Sequence, residues 1–120
     1  MTKAAISLTT GLEDPEKVTV ALLVAVGAAE SGRPTLIFLT KEAVRLAIPG
    51  HARAVACEGC PPLDTLMQRY AAAGGTLIAC GICVDAKGID GDDLIANATK
   101  AGSVQLWEWI GDDAATTFSF

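Results

Sequence analysis

The sequence predicts a single α/β domain, in which a parallel β-sheet lies between helices on both of its faces. Candidate strands and candidate helices alternate over the whole chain, which is the pattern of parallel sheets joined by helical crossovers. The 120 residues are enough for one ordinary hydrophobic core, and no linker, internal repeat or low-complexity segment divides them. We therefore expect residues 1–120 to form one domain.

The first half of the chain contains two strands and two helices. Asp14 is a suitable N-cap and Pro15 suits the first helical position, so a helix is predicted to begin there. Short apolar runs predict buried strands on either side of this helix. The predicted elements are a strand at residues 4–8, a helix at 15–30, a strand at 35–39 and a short helix at 41–47.

The second half has weaker signals at first and clearer ones later. Residues 52–56 are a weak strand candidate that leads directly into the first cysteine pair. Apolar side chains then recur at helical spacing, which predicts a helix at 63–73. The remaining predicted elements are a strand at 76–79, a helix at 104–110 and a final strand at 116–120.

The composition excludes some classes of partner. The net charge is −5 and the nine basic residues are scattered, whereas nucleic acid requires clustered lysine and arginine. The most apolar run, residues 18–29, is too short to span a bilayer, which needs about 20 apolar residues. We therefore expect neither nucleic acid nor a membrane as a partner. Because 51% of the residues are hydrophobic, we expect some apolar surface to be buried between subunits of a homo-oligomer.

The sequence shows no export signal, so we expect a cytoplasmic location, where thiols remain reduced. All four cysteines lie in two CxxC pairs, Cys57/Cys60 and Cys80/Cys83. Two pairs separated by roughly 15–20 residues favour a structural zinc site with four thiolate ligands. A reactive dithiol on an α/β scaffold is the other interpretation, with no cofactor required.

Both pairs follow predicted strands, so we expect all four sulfurs along the carboxyl edge of the sheet, where sites form in such folds. Cys80 ends its strand, and a helical turn is predicted after it at residues 81–87. Free amides at such a turn stabilise a thiolate, and Lys87 adds positive charge. A thiolate there can attack a disulfide or accept a sulfane sulfur. Gly11 lies at the same edge, where it permits a ligand or backbone to approach closely.

Two segments resemble the DsrE/DsrF-like proteins, which include the YchN group. Residues 32–44 are similar to the second strand and following helix of that family. Residues 73–89 are similar to its cysteine segment, in which a strand leads to C-x-x-C, a small residue, a basic residue and glycine. The ending, residues 107–120, is similar to the last helix and short strand of the family.

The resemblance implies a parallel five-stranded sheet in an α/β/α sandwich, assembled as trimers or hexamers. It also implies sulfur relay, in which a cysteine persulfide passes between sulfur-donor and sulfur-acceptor proteins, as in a sulfurtransferase. Carried over by position, Cys83 and Cys80 are the catalytic pair, and Lys87 stands where the family usually has arginine. Cys57 and Cys60 match no fixed cysteines of the family, so their role is auxiliary or belongs to the zinc alternative.

Three hypotheses therefore remain. The first is a sulfur-handling protein with a persulfide or redox-active dithiol at Cys80/Cys83. The second is a zinc-binding structural or regulatory module that uses Cys57, Cys60, Cys80 and Cys83 together. The third is an assembly subunit whose cysteines are inert.

Overall fold

A computed structural model describes all residues, 1–120. Its strands are β1 Lys3–Leu8, β2 Thr35–Leu39, β3 Thr76–Cys80, β4 Ala98–Ala101 and β5 Ala115–Ser119. Its α-helices are α1 Pro15–Glu30, α2 Leu63–Ala72, α3 Gly81–Ala86 and α4 Ser103–Ile110. A first 3₁₀ segment, Lys41–Ala47, and a second, His51–Ala54, lie between β2 and α2.

The five strands form one sheet in the order β4-β3-β2-β1-β5, and every pair is parallel. Three successive crossovers step in one direction from β1 to β4, so the right-handed rule places their helices α1, α2 and α3 on one face. The connection from β4 to β5 returns across the whole sheet, so α4 lies on the opposite face. The predicted α/β fold with a five-stranded parallel sheet is confirmed.

The main core lies between the sheet and the α1–α2 layer. Aligned positions of the three central strands, Ile6, Ile37 and Leu77, belong to one cluster of 23 buried residues. Tyr70 of α2 is fully buried in the same cluster. Its hydroxyl lies 2.7 Å from the carbonyl oxygen of Thr76 and 3.1 Å from that of Thr35, so it ties α2 to two strands.

The predicted start of α1 is confirmed by its capping geometry. The carboxylate of Asp14 accepts a hydrogen bond from the backbone amide of Lys17 at 3.1 Å, and Pro15 is the first helical residue. The predicted helix at residues 41–47 is a 3₁₀ helix instead. No helix in the structure combines the length and the apolar character that crossing a bilayer requires.

The strand predicted at residues 52–56 is wrong. The second 3₁₀ segment occupies most of this region, and the buried residues here, Ala52 within it and Val55 directly after it, are three positions apart. That spacing matches the three-residue turn of a 3₁₀ helix, whereas a strand would bury alternate residues.

The sheet has its fifth strand at β4 instead, which the sequence analysis did not predict. Its sequence, ATKA, contains no apolar run and its residues are partly or fully exposed. Pairing with β3, for example Thr99 opposite Ile78, holds this edge strand in place. A strand that depends on its neighbour in this way has little signal of its own.

Candidate functional site

Cys80 and Cys83 lie where β3 gives way to α3. Cys80 is the last residue of β3 and the N-cap of α3, and Cys83 is the third residue of that helix. Both are free thiols and both are half-buried. The pair therefore lies at the carboxyl edge of the sheet, where sites form in parallel α/β folds.

Cys80 opens into a cleft of about 490 Å³ at this edge. Phe38 of β2 contributes one wall and Ser103 at the start of α4 contributes another. Ile82, between the two cysteines, is 82% exposed and lies at the mouth of the cleft. A reagent or partner can thus reach the sulfur of Cys80 directly, across a rim that is partly apolar.

The sulfur of Cys83 is held by a backbone group instead. It accepts a hydrogen bond from the amide of Lys41 at 3.2 Å. Lys41 has a φ of +54°, and it is the one residue other than glycine with a positive φ. Backbone strain of this kind is concentrated at functional sites.

Gly11 makes room for the segment that carries this amide. Gly11 is buried, and a Cβ added to it would overlap the backbone carbonyl of Glu42, the residue after Lys41. The sequence predicted that either a ligand or backbone approaches Gly11 closely, and the structure places the backbone of Glu42 there. A role for Gly11 in the site itself stays a prediction.

Lys87, which the sequence suggested as a source of positive charge, binds a carboxylate of the first 3₁₀ segment. Its ammonium forms an ion pair with the Glu42 carboxylate at 2.6 Å, and Arg45 binds the same carboxylate at 2.7 Å. The hydrogen bond from Lys87, followed by that from Arg45, lowers the pKa of Glu42. Lys87 therefore anchors the end of α3 to the first 3₁₀ segment and shares the Glu42 carboxylate with Arg45.

The chain belongs to the DsrE/DsrF-like family. The model of that family matches residues 2–120, nearly the whole chain. A comparison with curated proteins gave no match.

Solved structures share the fold of this DsrE/DsrF-like protein. The YchN protein from E. coli is 22% identical over 100% of both chains, with a TM-score of 0.80. MTH1491 from Methanobacterium thermoautotrophicum, of unknown function, is 12% identical over 96% of this chain and 99% of that one, with a TM-score of 0.66. BT1422 from Bacteroides thetaiotaomicron, also of unknown function, is 17% identical over 94% and 93% of the two chains, with a TM-score of 0.55. At these identities the likeness shows the fold alone.

The other cysteine pair of this DsrE/DsrF-like protein, Cys57/Cys60, lies away from Cys80 and Cys83. Cys57 and Cys60 form a disulfide in the loop before α2, and no strand precedes them, so the expectation that both pairs follow strands is wrong. The sulfur of Cys57 lies 3.7 Å from the hydroxyl oxygen of Thr19 on α1. The two pairs therefore have different neighbours.

The four cysteines do not assemble into the zinc site that their spacing suggested. No group of three or more histidine, cysteine, aspartate or glutamate side chains lies close enough together to hold a metal ion. Two of the four sulfurs are also joined to each other, whereas zinc requires thiolates. Spacing along the chain was misleading because a helix and a strand, α2 and β3, separate the two pairs in space.

The sequence reasoning missed the residues that surround Cys83. Lys41 contributes only its backbone amide, which carries no sequence signal. Glu42 reads as an ordinary helix-start carboxylate, because its partner Lys87 is 45 positions further along the chain.

Proposed function

We propose that this protein is a sulfur carrier that holds a persulfide or a redox-active dithiol at Cys80 and Cys83. The observation that carries the proposal is the pair of free, half-buried thiols at the carboxyl edge of the sheet, one open to a cleft and the other bound by a backbone amide. Membership of the DsrE/DsrF-like family supports sulfur relay as the class of function.

The loading step is a transfer of one sulfur atom. The thiolate of Cys83 attacks the outer sulfur of a donor persulfide, a new S–S bond forms, and the S–S bond of the donor breaks. The donor leaves as a thiolate, which takes up a proton, so no external oxidant or reductant is needed. The amide of Lys41 donates a hydrogen bond to the attacking sulfur.

The unloading step has two chemically balanced routes. An acceptor thiolate can remove the outer sulfur, which regenerates the Cys83 thiolate. Alternatively, the Cys80 thiolate attacks the inner sulfur of the persulfide, which forms a Cys80–Cys83 disulfide and releases hydrosulfide. In the second route the pair acts as a dithiol, and a reductant must restore it.

The test is mass spectrometry of the intact protein after incubation with a sulfane-sulfur donor such as polysulfide. We expect a one-sulfur adduct on the wild type and on the matched control Cys57→Ser/Cys60→Ser. We expect none on Cys83→Ser. Cys80→Ser should load but release no hydrosulfide without an added thiol. If accessible thiols at Cys80 and Cys83 acquire no sulfur, the proposal is wrong.

We further propose that the protein works as a homo-oligomer, a trimer or hexamer, and meets sulfur-donor and sulfur-acceptor proteins in the cytoplasm. The face of the sheet that carries α4 supports an assembly, since α4 has no buried residue. Trp107 and Val104 on this helix are 69% and 62% exposed. Light scattering on the wild type and on Trp107→Ser tests this, with a smaller mass expected for the variant. A wild-type protein that is monomeric at all concentrations would rule the assembly out.

A further inference from the structure

We propose that Cys57 and Cys60 form a second thiol–disulfide site, which exchanges two electrons with a dithiol and operates independently of the sulfur site at Cys80/Cys83. In the cytoplasm disulfides are usually transient and either catalytic or redox-sensing. A disulfide in a protein proposed to act there therefore calls for a redox role rather than a structural one.

The loop is preorganised to close and open this disulfide. The amide of Cys60 donates to the carbonyl oxygen of Cys57 at 3.1 Å, and Gly59 has a φ of +77°, as the third residue of a type II turn requires. The turn brings the two Cα atoms to 5.3 Å, within the usual range for disulfides. Because the turn has its own hydrogen bond and its own glycine, it can persist when the S–S bond is broken.

The disulfide is accessible and the fold does not depend on it. Both cysteines are half-buried, and Glu58 and Gly59 between them are exposed, so a thiolate can approach the sulfurs from solvent. Neither cysteine belongs to the core cluster or to the partly buried apolar side chains that pack against it. A ring closed over four residues also restricts the unfolded chain less than a disulfide across a long loop would.

Thr19 supplies a partner for the reduced state. It is 2% exposed, and its hydroxyl donates to the carbonyl oxygen of Pro15 at 2.7 Å, so its oxygen remains available as an acceptor. That oxygen lies 3.7 Å from the sulfur of Cys57. Reduction gives Cys57 a thiol proton, which can be donated to this oxygen. The reduced form thus gains an interaction that the disulfide lacks.

The exchange balances with a dithiol as the co-reactant. One thiolate of the reagent attacks a sulfur of the pair, a mixed disulfide forms, and the displaced cysteine leaves as a thiolate that takes up a proton. The second thiol of the reagent then displaces the other cysteine. The reagent is oxidised to its disulfide, and Cys57 and Cys60 are reduced by two electrons.

Trypsin separates the two sites for measurement, since residues 54–69 carry Cys57 and Cys60 while residues 70–87 carry Cys80 and Cys83. The intact protein is equilibrated with reduced and oxidised dithiothreitol at graded ratios, quenched with acid, alkylated and digested. We expect peptide 54–69 to pass from disulfide to dithiol in one two-electron transition. Its midpoint ratio should be the same in Cys80→Ser/Cys83→Ser.

Thr19→Val tests the assigned partner. Losing one hydrogen bond to the reduced form should raise the ratio of reduced to oxidised dithiothreitol at the midpoint by about 2- to 10-fold. An unchanged midpoint would contradict the role of Thr19. A pair that never forms a disulfide, that resists excess dithiothreitol, or that cross-links to peptide 70–87 would overturn the second site. Sulfur loading is read on peptide 70–87, so either proposal can fail without the other.

Discussion

Substituting Gly11 by alanine should weaken the reactivity of a cysteine with which it has no direct contact. A Cβ at position 11 would overlap the backbone carbonyl of Glu42, and a backbone atom has no rotamer by which to yield. The segment that begins with Lys41 must therefore move. This movement should lengthen the hydrogen bond from the Lys41 amide to the sulfur of Cys83, which is 3.2 Å in the structure.

The size of the effect follows from the strength of one hydrogen bond, which fixes the position of the sulfur. A typical hydrogen bond contributes about 0.5–1.5 kcal/mol, so its loss should slow the alkylation of Cys83 by about 2- to 10-fold. The same overpacking should lower the free energy of unfolding by about 1–3 kcal/mol.

The assay is the rate of iodoacetamide alkylation at pH 7, with Cys80 and Cys83 resolved by fragmentation of their shared tryptic peptide. Cys80 is the internal control, because no backbone amide binds its sulfur. Gly27→Ala is the matched control: Gly27 lies in α1 with nothing within 4 Å of its added Cβ. That change should stabilise the helix by up to about 1 kcal/mol and leave both rates unaltered. A Gly11→Ala protein in which Cys83 reacts at the wild-type rate would refute the reasoning.

Three further predictions concern the same framework. Lys41→Gly should be about 1 kcal/mol more stable to urea than Lys41→Ala, because glycine adopts a positive φ without strain, and equal stabilities would contradict strain there. Burial raises the pKa of Tyr70, so stability is full below the unfolded value near pH 10 and is lost above it. In urea titrations from pH 10 to 12, Tyr70→Phe should lack this loss of about 1.4 kcal/mol per pH unit, and parallel curves would rule it out. The pKa of Glu42 is lowered in the folded state, so its carboxylate stabilises the fold above about pH 4 and ceases to do so in more acid solution. When Tm is measured against pH, Glu42→Gln should therefore show a smaller fall in Tm on acidification than Glu58→Gln does.

The sequence predicts elements well where local chemistry decides the conformation. Asp14 and Pro15 mark the start of α1 because capping involves only neighbouring residues. The buried strands β1, β2 and β3 are apolar runs because both faces of a parallel sheet are covered. Prediction fails at β4 and at the second 3₁₀ segment, where pairing with β3 and packing against the core decide the structure.

The candidate site divides in the same way. Cys80 and Cys83 could be placed at the carboxyl edge from the sequence because the strand that precedes them is apolar. The contact with Lys41 could not, since it depends on a backbone amide 42 positions away and on a strained φ. The zinc alternative failed for a related reason, because spacing along the chain does not measure distance when a helix and a strand intervene.

Both cysteine pairs have the CxxC motif, but Cys57/Cys60 form a disulfide whereas Cys80/Cys83 are free thiols, because the backbone around each pair differs. At Cys57 a turn with its own hydrogen bond brings both ends of the motif together at 5.3 Å, and the disulfide closes in a loop exposed to solvent. At Cys80 the motif spans the end of a strand and the start of a helix, and the amide of Lys41 competes for the sulfur of Cys83. A sulfur that already accepts an amide hydrogen bond has less to gain from a disulfide and remains available to bind a sulfur atom. We therefore assign electron exchange to Cys57/Cys60 and sulfur transfer to Cys80/Cys83.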